Sequence, residues 1–141
     1  MKLEVGSFFT FEDLKAQFGK DLSFTFVTNR TVKAIGLVPD MNVSFKDNVP
    51  DVGRIMVAKG DGREAAARLL RGTQGPIPVF VKEAANKWKF IGEYIFKNLW
   101  TDPADFRPFL DEAPKKLDEI VMVVEMNRVK AKEVIRRPKT A

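Results

Sequence analysis

Lys59-Gly60-Asp61-Gly62-Arg63 places two cations and a carboxylate around two glycines. Glycine lets backbone amides come close to a ligand, and a helix starting behind such a loop favours an anion at its N-terminus. The stretch lacks the third glycine of a dinucleotide fingerprint and the Lys-Ser/Thr pair of a phosphate loop. A tight turn with Asp61 as the helix cap is the plainer alternative. Arg54, Arg68 and Arg71 extend the basic character, opposed between 54 and 71 only by Asp61 and Glu64. Lys82, Lys87, Lys89 and Lys97 add to it, against Glu83 and Glu93, whereas residues 100–120 are acidic on balance. If the two basic groups share a side, phosphates are neutralised there. A solvated helix face is the competing reading. Trp88, Tyr94 and Trp100 are the flat side chains able to stack on a base, although strand-face aromatics are more often core.

Other chemistry is limited by composition. The 141 residues include no cysteine and no histidine. Disulfides, thiolate metal sites, histidine ligands and Ser–His or Cys–His nucleophile pairs are excluded, and an intracellular setting, cytoplasmic or nuclear, is the simpler expectation. An all-carboxylate magnesium or calcium site stays chemically open. Asp40, Asp47, Asp51 and Asp61 come from loops, but no strand carries the Glu-x-Lys that a metal-dependent nuclease would want beside them. No catalytic residue, metal or cofactor is expected. No apolar run approaches the roughly 20 residues needed to span a bilayer. The net charge of +5 resides in residues 128–141, with Arg128, Lys130, Lys132, Arg136, Arg137 and Lys139 against Glu133. Residues 1–127 are neutral and read as one globular domain. The tail reads as a nucleic-acid arm, an import signal, an edge strand through Val129 to Ile135, or a solubilising end.

These side chains are positioned by a strand-rich pattern. Residues 77–97 read as a hairpin, with Asn86 supplying the left-handed turn residue. Alternation puts Trp88, Phe90, Gly92, Tyr94 and Phe96 on one face. Gly92 then leaves a gap in an aromatic row, a space that a ligand could fill. Strands are also expected at 22–28, 32–38, 54–58 and 119–127, with shorter ones at 3–9 and 43–45. Helices are expected after Thr10 and its acidic first turn, at about 63–72 with Ala65, Ala66, Leu69 and Leu70 inward, and at 103–112 behind Asp102-Pro103. Strand and helix do not alternate regularly. The expected class is α+β, a curved, barrel-like mixed sheet with about three short helices packed outside.

Val32-Lys-Ala-Ile-Gly-Leu37, then Lys59–Arg63 with its helix, then Pro78-Val-Phe-Val81 and Trp88-Lys-Phe-Ile-Gly-Glu-Tyr94 follow one another in an order that resembles the PUA-like superfamily. Within it, the order is similar to the SET-and-RING-associated (SRA) readers of modified bases, domains that often accompany restriction-type nucleases. The matching part covers roughly residues 24–97. The resemblance implies a curved sheet whose concave face holds a base pocket, and extrusion of a modified base, commonly methylated cytosine, from DNA rather than RNA. It implies a basic rim of Arg30, Lys59 and Arg63, Asp61 as acceptor for a base edge, and Trp88 and Tyr94 as stacking residues. A different outcome is a protein-interaction or regulatory domain of the same fold, contacting its partner through an exposed Trp100 and residues 103–112.

Overall fold

The computed structural model describes residues 2–39, 42–45, 49–112 and 120–130. The predicted edge strand to Ile135, most of the basic tail, and Asp40 and Asp47 lie outside the described residues. The elements in chain order are β1 (Phe8–Phe9), α1 (Phe11–Phe18), β2 (Lys20–Leu22), β3 (Thr25–Thr28), β4 (Thr31–Leu37), a 3-10 turn (Val43–Phe45), β5 (Val52–Ala58), α2 (Asp61–Arg71), β6 (Ile77–Ala84), β7 (Lys87–Trp100), α3 (Pro103–Phe106) with a 3-10 turn over Arg107–Glu112, and β8 (Ile120–Arg128).

All eight strands share one sheet in the order β2-β3-β4-β6-β7-β8-β5, with β1 paired to the start of β7. Among the described residues only β4 and β6 run parallel, so the sheet is mixed, and it curls into a half-barrel. The curl is visible in the packing. One face gathers Val32 and Leu37 of β4, Ile55 and Val57 of β5, Val79 of β6, Tyr94 of β7 and Val124 of β8 into a single cluster. The other face breaks into two clusters, one under α1 around Phe26, Phe80, Trp88 and Phe90, the other under α3 around Met56, Phe106 and Val123. A concave face brings the ends of a sheet together and a convex face spreads them apart. Helix α2 adds Ala67 and Leu70 to the concave cluster, whereas α1 and α3 cover the convex side.

Local chemistry explains several of these elements. Thr10 and Asp13 form a reciprocal capping box at the start of α1: Thr10 Oγ1 accepts from Asp13 N at 3.1 Å, and Asp13 Oδ2 accepts from Thr10 N at 3.0 Å. Asn86 has a φ of 52° and does more than turn the hairpin. Its Oδ1 accepts from Phe11 N at 2.7 Å and its Nδ2 donates to Glu12 Oε1 at 3.2 Å, which locks α1 to the β6–β7 turn.

The structure differs from the sequence reading in several elements. Residues 22–28 are two strands joined at Ser23, whose φ is 57°, and not one strand. Residues 43–45 form a 3-10 turn and not a strand. The helix at 103–112 is α-helical only to Phe106 and then tightens into 3-10 geometry, where Pro108 removes a backbone donor. Most consequentially, Trp88 and Tyr94 lie on opposite faces of the sheet. Phe80 pairs with Phe90 and Val79 with Gly92, so Ile91 is an extra residue. A bulge of this kind reverses the side-chain parity beyond it. Trp88 and Phe90 face α1, and Ile91 and Tyr94 face the concave core.

Candidate functional site

The end of β4 and the free edge of β5 approach each other at the seam of the half-barrel without hydrogen-bonding. A cavity of about 260 Å³ lies there. Ile55, Met56, Val57 and Ala58 of β5 form one wall, and Gly36 and Val38 at the end of β4 form another. Ser23 and Phe24 come from the β2–β3 turn, Trp88 from β7 and Arg63 from α2. Gly36 lets two rings close over the backbone here: a Cβ on it would lie 3.1 Å from Trp88 Cζ3 and 3.2 Å from Phe26 Cε2, tight enough that one of them would have to give by a few tenths of an ångström. The indole thus sits directly over a backbone that lacks a side chain.

The free edge of β5 is sealed below the cavity by side chains that imitate a neighbouring strand. Ser44 Oγ accepts from Arg54 N and donates to Arg54 O, both at 3.1 Å. Two residues further along β5, Asn42 Oδ1 accepts from Met56 N at 3.0 Å, while Asn42 Nδ2 donates to Val38 O at 3.3 Å. Exposed strand edges invite pairing with other chains, and this device removes the invitation. Sequence reasoning missed both residues. Their signal was the Asn42-x-Ser44 spacing, which matches the two-residue period of an edge strand.

The Lys59–Arg63 loop stands at the cavity mouth. Gly60, at a φ of 154°, is the N-terminal cap residue of α2, and no side chain caps it. Instead Glu64 Oε2 accepts from Gly60 N at 3.1 Å, and Arg63 Nη1 donates to Lys59 O at 3.0 Å. Asp61 is therefore not the helix cap. It is the exposed first residue of α2 and lies outside the cavity lining. Among the expected residues, Arg63 and Trp88 border the cavity, and Lys59 and Asp61 stand beside it.

No protein-family profile and no curated protein matches the sequence. Solved structures do. The SRA domain of SUVH5 bound to fully hydroxymethylated CG DNA superposes with a TM-score of 0.61 at 14% identity, covering 92% of this chain and 91% of that one. The same domain in complex with methylated CHH DNA gives a TM-score of 0.59 at 15% identity, over 92% and 90% of the two chains. The chain has an SRA-like fold.

Within the SRA-like fold the other expected site residues stand elsewhere. Arg30 sits with Asn29 at the tip of the β3–β4 turn, both at positive φ. That tip is the far end of β4 from Gly36, about 20 Å away at a rise of about 3.3 Å per residue. It lies beside the C-terminal end of α2, because Thr73 Oγ1 accepts from Val32 N at 3.2 Å and donates to Leu69 O at 2.9 Å. Tyr94 is fully buried in the concave core. Its ring meets Phe45 edge-on at 5.7 Å, and its hydroxyl donates to Pro50 O at 2.7 Å. The gap at Gly92 is taken by the protein itself, since a Cβ there would lie 3.4 Å from Arg128 Nε. Trp100, expected to be exposed, is half-buried, with its ring 4.6 Å from that of Phe109. Arg54 then stacks on Phe109 at 4.2 Å while bonding Glu125 at 3.2 Å. Trp100, Phe106, Phe109 and Leu110 are thus spent on internal packing, whereas residues 103–105, 107 and 108 stay exposed.

Burial pushes the Tyr94 phenol up to about 12, with Arg128 acting to lower it and Asp51 to raise it. An unfolded tyrosine titrates near pH 10. The fold therefore holds this proton more tightly, so its contribution to stability is full below pH 10 and is lost as pH rises toward 12. Tyr94→Phe is expected to cost about 1 kcal/mol at pH 7 through the lost hydrogen bond. The gap should then narrow in urea unfolding between pH 9 and pH 11.5. A constant gap across that range would exclude Tyr94 as a source of alkaline sensitivity.

Proposed function

We propose that this chain is a non-catalytic reader domain that binds DNA and receives an extruded base, a modified cytosine being the leading case, in the cavity at the β4–β5 seam. The observation that carries the reading is the cavity itself: apolar strand walls, the Trp88 indole at one side and the Arg63 guanidinium at the mouth. An extruded base needs a flat apolar surface, a few polar contacts to its edge and cations for the flanking phosphates. Trp88 supplies the first. Lys59 serves the nearest phosphates, and Asp61 accepts from a base amino group at the mouth. Arg30, about 20 Å away along β4, serves phosphates further along the duplex. Tyr94 supports the wall from within the core. The SRA domains with the same fold are complexes with methylated or hydroxymethylated DNA, which supports DNA as the partner.

Fluorescence anisotropy with methylated, hydroxymethylated and unmodified duplexes tests this reading. Binding is expected to each duplex at low salt, tightest where the base is modified, and to weaken steeply as salt rises. Absence of binding to every duplex at low salt would overturn it.

A further inference from the structure

Resting on that reader function, we propose that Arg63 reads the base in the cavity and does not merely contact a phosphate: it selects a nucleotide presenting two adjacent acceptors, cytosine or guanine, over adenine and thymine.

The first observation is the position of Arg63 on α2. The buried residues of this helix are Ala66, Ala67 and Leu70. Arg63 lies three and four residues before the first two and seven before the third, so it continues their stripe. Arg63 itself is exposed, at the open end of that stripe, where it borders the cavity. The stripe meets the concave core at Ala67 and Leu70, and one turn earlier it meets the cavity, which Arg63 lines.

The second observation is how the guanidinium is held. Nη1 donates to Lys59 O at 3.0 Å. Gly60, at a φ of 154°, leaves room for this contact: a Cβ there would lie 2.9 Å from the same Nη1 and would displace the guanidinium. Arg63 is thus folded back and fixed by one nitrogen, leaving Nε–H and Nη2–H for a ligand. Of the other polar side chains in the lining, Asn42 is already committed through both of its amide atoms and Ser23 is exposed and uncharged. Arg63 is therefore the charged donor of the lining.

The third step is chemical. A planar guanidinium offers parallel N–H groups that fit two neighbouring acceptors. Guanine has O6 beside N7, and cytosine has O2 beside N3. Adenine sets a donor beside each ring acceptor on its reading edge, and thymine separates its carbonyls with N3–H. A substituent on C5 of cytosine leaves O2 and N3 free, so a methylated cytosine keeps the contact.

The test uses duplexes carrying one nucleotide, dC, dG, dA or dT, opposite an abasic site, where extrusion costs little, together with a duplex that has an abasic residue on both strands. The wild-type protein is expected to bind the dC or dG duplex about tenfold or more tighter than the dA, dT and doubly abasic ones. Arg63→Met should abolish that preference while the slope of affinity against salt stays the same. Gly60→Ala, which keeps every charge but displaces the guanidinium, should erode the preference in the same way. Thermal melts of both variants verify folding. Uniform weakening of all duplexes by Arg63→Met, with the salt slope reduced by about one, is the signature of a phosphate contact and would overturn the proposal. So would a wild-type protein indifferent to the nucleotide, or a preference that survives in Arg63→Met. Failure of the wild-type protein to bind any duplex would instead overturn the reader function beneath it.

Discussion

Gly53→Ala is expected to destabilise the protein by roughly 3–5 kcal/mol, the range for loss of a buried large aromatic side chain. A Cβ at Gly53 would lie 2.2 Å from Phe45 Cζ and 2.8 Å from both Cε1 and Cε2. The methyl group would therefore enter the end of the ring. Phe45 is 1% exposed and reaches the concave core through its edge contact with Tyr94, so the ring has no free direction in which to retreat. Nor can the 3-10 turn that carries it shift easily, since Ser44 is bonded twice to Arg54 on the neighbouring strand. The ring must leave the core, or β5 must separate from the turn and open the cavity wall. Urea unfolding of Gly53→Ala, Phe45→Ala and the double variant checks the cause. If the collision accounts for the loss, the double variant is about as stable as Phe45→Ala alone, a strong departure from additivity. Additive losses, or a Gly53→Ala cost under about 1 kcal/mol, would show that Phe45 is not the obstacle.

The position of Gly53 also shows which parts of the fold the sequence could declare. The N-cap at Thr10, the left-handed Asn86, the hairpin of β6 and β7 and the apolar run of β8 are local signals, each expressed within a few residues, and each stands in the structure where the pattern puts it. The irregular succession of strands and helices likewise pointed to a curved mixed sheet, which is the architecture found. What stayed hidden depends on distant partners. The extra residue at Ile91 leaves no mark on the apolar pattern, because the middle of β7 is buried on both faces and either parity places an apolar group against a core. Tyr94 was therefore assigned to the same face as Trp88. The inward stripe of α2 differs in one position for a similar reason: five neighbouring apolar positions, Ala65 to Ala67, Leu69 and Leu70, permit more than one stripe, and packing against β5 and β7 buries Ala67 in place of Ala65 while keeping Ala66 and Leu70 inward and Leu69 against the core. The phase matters, because it is what puts Arg63 at the cavity. The Lys59–Arg63 loop and Trp88 were legible as separate candidates. Their meeting was not, since it is produced by the closure of the sheet between β4 and β5.

Trp88→Ala should have the second of the two largest effects, about 3–5 kcal/mol of stability together with loss of base-dependent binding. Trp88 is 8% exposed, with its indole wedged over Gly36 and its ring centroid 6.0 Å from that of Phe11. It therefore both packs α1 against the convex face and walls the cavity on the other side. Alanine removes both contributions together and cannot separate them. Trp88→Phe and Trp88→Leu can. Both keep an apolar side chain against Phe11 and Phe26, but only phenylalanine keeps a flat ring. Stacking of a base on an aromatic side chain is worth about 1–3 kcal/mol, so Trp88→Leu is expected to bind a base-extruding duplex about tenfold or more weakly than Trp88→Phe. Their affinities for the doubly abasic duplex should be equal, because nothing stacks there. Anisotropy titrations of the two variants, at a temperature where thermal melts show both folded, read the difference. Equal affinity for the base-extruding duplex would mean that the indole is only a packing element. A defect shared by both duplexes would mean that Trp88 acts through the position of α1 and not through contact with the base.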